Sequence, residues 1–152
     1  MRRIVRLALS VGALAVLAGA CGGERAATGG DRDLLDATPA EVVVLDMRDI
    51  SFDRTELQMP VGEVVAITLH NSGSLVHDLT LESPETRFAF RVLEGEPIRQ
   101  EAPSRSSAHV TVRAGGTTEL RVEVGEPGSY EYYCAVPGHR AAGMRGTLVV
   151  QP

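Results

Sequence analysis

From residue 41 to the C-terminus, apolar and polar residues alternate in short β-branched runs, and no stretch sustains the i, i+3, i+4 apolar spacing of an amphipathic helix. Seven runs read as strands: "EVVVLDM" (41–47), "GEVVAITLHN" (62–71), "HDLTLE" (77–82), "AHVTVRA" (108–114), "TTELRVEV" (117–124), "SYEYYC" (129–134) and "GTLVVQ" (146–151). "NSGS" (71–74), "AGG" (114–116) and "GEPG" (125–128) punctuate them with residues that favour turns. "RFAFRVL" (87–93) alternates as an edge strand does, and the "EGEPIRQEAPSRSS" after it reads as loop. Short strands at this spacing predict an all-β sandwich or barrel, one domain over 41–152 without internal repeats.

Side chains alternate faces along a strand, so parity sorts the four histidines. His77 shares a face with Leu79 and Leu81 and points inward, while Asp78, Thr80 and Glu82 share the other. Cys134 lies on the face of Tyr130 and Tyr132. His70 falls with Ala66 and Thr68, and His109 with Thr111 and Arg113, opposite their apolar neighbours, so both read as solvent-face residues. That leaves His77 and His139 with the address of a site.

Before residue 41 the pattern differs. Arg2, Arg3 and Arg6 precede an apolar run, Leu7 to Ala20, that is short for a bilayer span and placed like the core of a secretory signal. It ends in "LAGAC", which resembles the lipobox of bacterial lipoproteins, where the chain is cut before a cysteine carrying a diacylglyceryl group. Ala18 stands where that motif usually has Leu, Val or Ile. This reading makes 1–20 a signal peptide, Cys21 the lipid attachment point and 21–40 a flexible tether, opening "CGGERAATGGDRD". It anchors the domain on the extracytoplasmic face of a bacterial membrane. An ordinary secretory signal, giving a soluble secreted or periplasmic protein, and a plain N-terminal anchor are the alternatives; each exports the domain.

Lys and Arg total 15 against 20 Asp and Glu, a net charge of −5, and loss of Arg2, Arg3 and Arg6 with the signal takes −5 to −8. An acidic surface argues against nucleic acid and suits a monomer that meets cationic proteins. Cys21 and Cys134 are the two cysteines. If Cys21 carries lipid, Cys134 is a single thiol in an oxidising compartment, where it needs an occupation such as metal ligation or nucleophilic catalysis.

"YYCAVPGHRAAGMRG" (132–146) addresses that choice. Four residues separate Cys134 from His139, and four separate His139 from Met144, so one loop can wrap three donors around a point while His77 arrives from a distant strand. Pro137 stiffens this loop, and Gly138 and Gly143 permit bends in it. A thiolate, two imidazoles and a thioether form the donor set of an electron-transfer copper site, with two His and Cys in a plane and Met as a weak axial ligand. Each residue also has a plainer reading: Cys134 as an inert buried cysteine, Met144 as core filler, His139 as a turn residue. The spacing and the exported compartment together favour the site.

"GSYEYYCAVPGHRAAGMRGTLVV", with "PVGEVVAITLHNSGSLVHDLTL" upstream, resembles the cupredoxins, the type 1 blue copper proteins. The spacing is closest to the auracyanin, rusticyanin and sulfocyanin kind, and the resemblance covers roughly 41–152. It implies a Greek-key β-sandwich and one copper ion, Cu(I)/Cu(II), held by His77, Cys134, His139 and Met144. It further implies that the backbone N–H of Asp78, where many relatives have Asn, donates to the Cys134 sulfur. Tyr130 resembles the tyrosine that pins a Greek-key corner. By the same resemblance His139 presents its edge at an apolar exit for electrons, formed here by Ala135, Val136, Pro137, Ala141 and Ala142.

The function expected is single-electron transfer to redox partners such as a cytochrome or oxidase. A copper chaperone or store delivering metal to an oxidase is the alternative, but chaperones use Met-rich or His-rich segments, and the methionines here are Met1, Met47, Met59 and Met144. A multicopper oxidase or copper nitrite reductase needs added histidines, and a Cys/His hydrolase gives Met144 no role, so no enzyme activity is expected.

Overall fold

The computed structural model describes residues 28–96, 98 and 108–152. Cys21, the signal segment and most of the expected 94–107 loop lie outside the described residues. Among the described residues, eleven strands and one short helix follow in chain order: β1 (Thr28–Gly30), α1 (Asp33–Asp36), β2 (Glu41–Arg48), β3 (Ser51–Phe52), β4 (Glu56–Pro60), β5 (Val65–Asn71), β6 (His77–Leu81), β7 (Thr86–Glu94), β8 (Ala108–Val112), β9 (Thr117–Val124), β10 (Gly128–Tyr133) and β11 (Arg145–Gln151). They form two sheets, one ordered β1-β7-β9-β5-β2-β3 and the other β4-β11-β10-β6-β8. β2 runs parallel to β5 and β4 to β11, and the other pairs are antiparallel.

The predicted alternation builds the core. Leu45 and Met47 of β2, Ile67 and Leu69 of β5, and Leu120 and Val122 of β9 face Leu79 and Leu81 of β6, Tyr132 of β10 and Leu148 of β11 in one buried cluster. The inner residues of two sheets interdigitate here as in any β-sandwich. β6 lies between β10 and β8, and all five of its residues are buried. Tyr130 donates from its hydroxyl to the Glu126 carbonyl at 3.1 Å, the corner contact the sequence predicted.

Three expectations change. The stretch 28–40, assigned to a tether, packs against the domain: β1 pairs with β7, Leu34 is buried, and the Arg121 guanidinium donates to the Ala37 carbonyl at 2.7 Å. Its mostly small and polar composition hides the one buried leucine, Leu34, and the backbone groups that dock it. The run expected at an edge, 87–93, is longer as β7 and pairs with β9 on one side and β1 on the other. β3 and β4 were unforeseen, because a two-residue strand and the interrupted "ELQMP" carry too little alternation to register.

Candidate metal centre

His77 opens β6, immediately after the 71–74 turn. That turn is held from inside by Asn71, whose side chain is fully buried. Its Nδ2 donates to the carbonyls of Leu75 and Val112, both at 2.9 Å, and its Oδ1 accepts from the Gly73 amide at 3.0 Å. Inward parity then carries the imidazole into the interior, where it is 0% exposed.

Cys134 follows β10, and the loop to β11 is closed by its own backbone. The Cys134 amide donates to the Met144 carbonyl at 3.0 Å, and the Met144 amide donates to the His139 carbonyl at 3.0 Å. A tight turn from Val136 to His139 and another from Gly138 to Ala142 fold the segment between. Gly138 and Gly143 take φ of 88° and 104°, a region that side chains disfavour. Thus the backbones of all three loop donors are hydrogen-bonded in series. The side chains of Cys134 and Met144 are fully buried, and His139 is buried with its rim at the surface.

His77, Cys134 and His139 bring their donor atoms within 4.8 Å of one another. The Cys134 Sγ is 4.0 Å from His77 Nδ1 and 3.5 Å from His139 Nδ1. Metal–thiolate and metal–imidazole bonds of about 2.3 and 2.0 Å at trigonal angles would set sulfur and nitrogen about 3.7 Å apart. The observed separations bracket that value, so the three side chains fit a single ion. The amide of Asp78 lies 3.5 Å from Sγ, in the donor position expected from the resemblance.

The electrostatics keep Cys134 and His77 uncharged until a metal enters. Burial pushes the Cys134 thiol up, outweighing the Asp78 amide that favours the thiolate. Burial, reinforced by the neighbouring His139, pushes His77 down and keeps its ring neutral, with a lone pair to offer. A cation that enters must therefore displace the thiol proton, while at His77 it meets a neutral ring.

Around these donors the structure adds side-chain contacts that the sequence did not mark. Asp78 is buried, and its Oδ1 accepts from the Ala135 amide at 2.6 Å and the Thr80 hydroxyl at 3.1 Å, so a carboxylate ties the Cys134 loop to β6. His109, read as a solvent-face residue, is buried, with Nε2 3.7 Å from Asp78 Oδ2. Parity put Asp78 with Thr80 and set His109 opposite Val110 and Val112, and the strand pairing joins these residues on one face. That face is buried because pairing of β6 with β8 puts His109 opposite Thr80 and beside the Asp78 carboxylate, which accepts from the Thr80 hydroxyl. His70 is half-buried and bonds Thr117 Oγ1 at 3.1 Å, away from the centre. Within the loop, Arg140 stacks over the Tyr133 ring at 3.9 Å and pairs with Glu131. Ala135, Pro137, Ala141 and Ala142 are exposed and Val136 is half-buried.

Residues 40–151 match the family model for copper binding proteins of the plastocyanin/azurin family. The chain belongs to that family. Auracyanin-B of Chloroflexus aurantiacus is 27% identical to this cupredoxin over 81% of its length, although the chain spans only 57% of auracyanin-B. The copper-resistant cuproprotein CopI of Rubrivivax gelatinosus is 30% identical over 76% of the chain and 70% of CopI. The solved structure of auracyanin B superposes with a TM-score of 0.60 at 23% identity, covering 86% of the chain and 97% of that structure, which shows the shared sandwich fold. The copper cofactor anticipated from the donor set is thus the metal of the family.

Proposed function

We propose that this cupredoxin is an exported carrier of single electrons, and that His77, Cys134, His139 and Met144 are the residues that would hold its copper. The observation that carries the reading is the buried group of two imidazoles and one thiol within 4.8 Å, on a hydrogen-bonded loop and a fully buried strand. Bound there, copper would supply one-electron chemistry between Cu(I) and Cu(II). The protein's part is to keep the donors still. β6 fixes His77 in a packed sheet, the Cys134–Met144 backbone bond closes the loop, and the Asp78 amide and carboxylate hold sulfur and loop together. Donors that do not move between the two oxidation states leave little reorganisation to oppose transfer. His139 and the apolar residues Ala135, Val136, Pro137, Ala141 and Ala142 form the exit, where a partner can approach without stripping water from ions. The acidic remainder of the chain steers a cationic redox protein towards it. Lipidation of Cys21 anchors the monomer outside the cytoplasm.

The test is spectroscopic. The purified domain with Cu(II) turns intense blue, bleaches on reduction and recovers on oxidation; a colourless, metal-tight protein would overturn the reading. The 30% identity with CopI favours a second reading, in which the same centre serves copper resistance by holding or passing on the ion. Transfer of copper to a chelator or an apo acceptor faster than electron exchange would select it.

A further inference from the structure

His77 has two ring nitrogens, and its Nδ1 faces Cys134. If Nδ1 binds metal, the ring proton must sit on Nε2, and a ligand histidine holds its orientation by donating that proton to an acceptor. In the structure Nε2 is buried without a hydrogen-bond partner, an uncompensated polar atom at the centre of the site. The carboxylate facing it is Asp49, whose Oδ1 is 3.9 Å away. Asp49 stands in the turn between β2 and β3, in the opposite sheet from His77.

Asp49 is not a mobile surface acid, although half its side chain is exposed. Its Oδ1 accepts from the Ser74 amide at 2.7 Å and the Leu75 amide at 3.3 Å, and its Oδ2 accepts from the Ser74 hydroxyl at 2.9 Å. A Cβ at Gly73 would come within 2.7 Å of Oδ1, so the absence of a side chain there leaves room for the carboxylate. The chain thus brings a charged acceptor from one sheet across the turn that precedes His77 in the other.

We propose that Asp49 is the acceptor for the Nε2–H of metal-bound His77, that it locks the ring, and that its charge stabilises Cu(II) over Cu(I). This rests on the reading of His77 as a ligand through Nδ1. A movement of about 1 Å by either group closes the gap to an N–H···O bond. Asp49 is a positioning residue: it acts on the metal through His77. The arrangement crosses the sandwich, so it couples the ligand to both sheets.

The experiment compares wild type, Asp49→Asn and Asp49→Ala by redox titration and by NMR of the ¹⁵N-histidine-labelled Cu(I) form. In wild type a slowly exchanging Nε2–H belongs to His77. Asp49→Asn, which keeps an acceptor oxygen and the turn, retains that protected proton but shifts the midpoint potential upward, because the negative charge is gone. Asp49→Ala raises the potential as well and speeds Nε2–H exchange at least tenfold. A potential unchanged in Asp49→Asn, or a His77 Nε2–H equally protected in Asp49→Ala, overturns the proposal while the blue colour persists. Should Asp49→Ala fail to fold, the potential of Asp49→Asn decides. A wild-type protein that binds no copper removes the underlying reading instead, and that outcome is visible before any variant is made.

Discussion

The two sides of the metal centre are built on opposite principles. His77 belongs to a strand buried on both faces and anchored from far away in sequence: Val112 pairs with it across the sheet and accepts from Asn71, which pins the turn before it. Cys134, His139 and Met144 belong to one loop outside the sheets, whose conformation is written in its own backbone bonds and two glycines. The strand side is therefore as stable as the whole domain, while the loop side can change its chemistry without unfolding the sandwich. The comparison also explains where function meets solvent. Exposed small residues sit on the loop, and everything around His77 on its own strand is buried.

Changing the loop sulfur tests the separation most severely. Cys134→Ser removes the thiolate whose charge transfer to Cu(II) gives the colour, so the intense visible band is lost completely while the circular dichroism of the sandwich stays the same. A variant that remains blue takes Cys134 out of the site. On the strand side the opposite is expected. Asn71→Ala deletes three hydrogen bonds made by a buried side chain and destabilises the domain by about 3 kcal/mol in urea unfolding, yet the folded fraction keeps its colour.

The raised thiol makes metal uptake depend on pH. In the metal-free protein Cys134 keeps its proton to higher pH than an ordinary thiol, and His77, pushed down, is already neutral. Copper must displace one proton, so affinity rises about tenfold per pH unit, and the rise continues above about pH 8.5, where an ordinary thiol is already ionised. Competition titrations across that range check the sign; affinity that is flat there would show a preformed thiolate.

Smaller effects belong to the loop's tuning residues. Met144→Leu loses a sulfur donor and raises the potential by about 60 mV, a tenfold shift towards Cu(I), while Met144→Gln lowers it. Unchanged potentials in both variants would deny Met144 an axial role. Ala142→Glu is expected to leave colour and potential nearly as they are and to slow exchange with a redox partner, with the wild-type rate falling as salt rises if that partner is cationic. If Ala142→Glu bleaches the protein, the residue packs the loop and the two sides are less independent than drawn.

Much of this centre was legible from residue order because its information is local. Period-two alternation sorted His77 inward with Leu79 and Leu81, and the spacing of Cys134, His139 and Met144 needs only one loop to bring three donors together. The alternation also set the sandwich, since each strand's apolar face must find another to cover it. Residue order could not say which strands are neighbours, and everything missed depends on that. His109 looked solvent-facing until β8 was seen to pair with β6 and bury it against Asp78. Asp49 had no signal at all, because its meaning lies in the turn that carries His77, joined to it by contacts 25 and 26 residues apart in the chain. The stretch 28–40 read as tether because its docking uses backbone groups and a single leucine. Alternation and spacing are written into the chain one residue after another. Pairing partners are chosen by the packing of the whole, where the burial of each polar group is decided by what lies across from it.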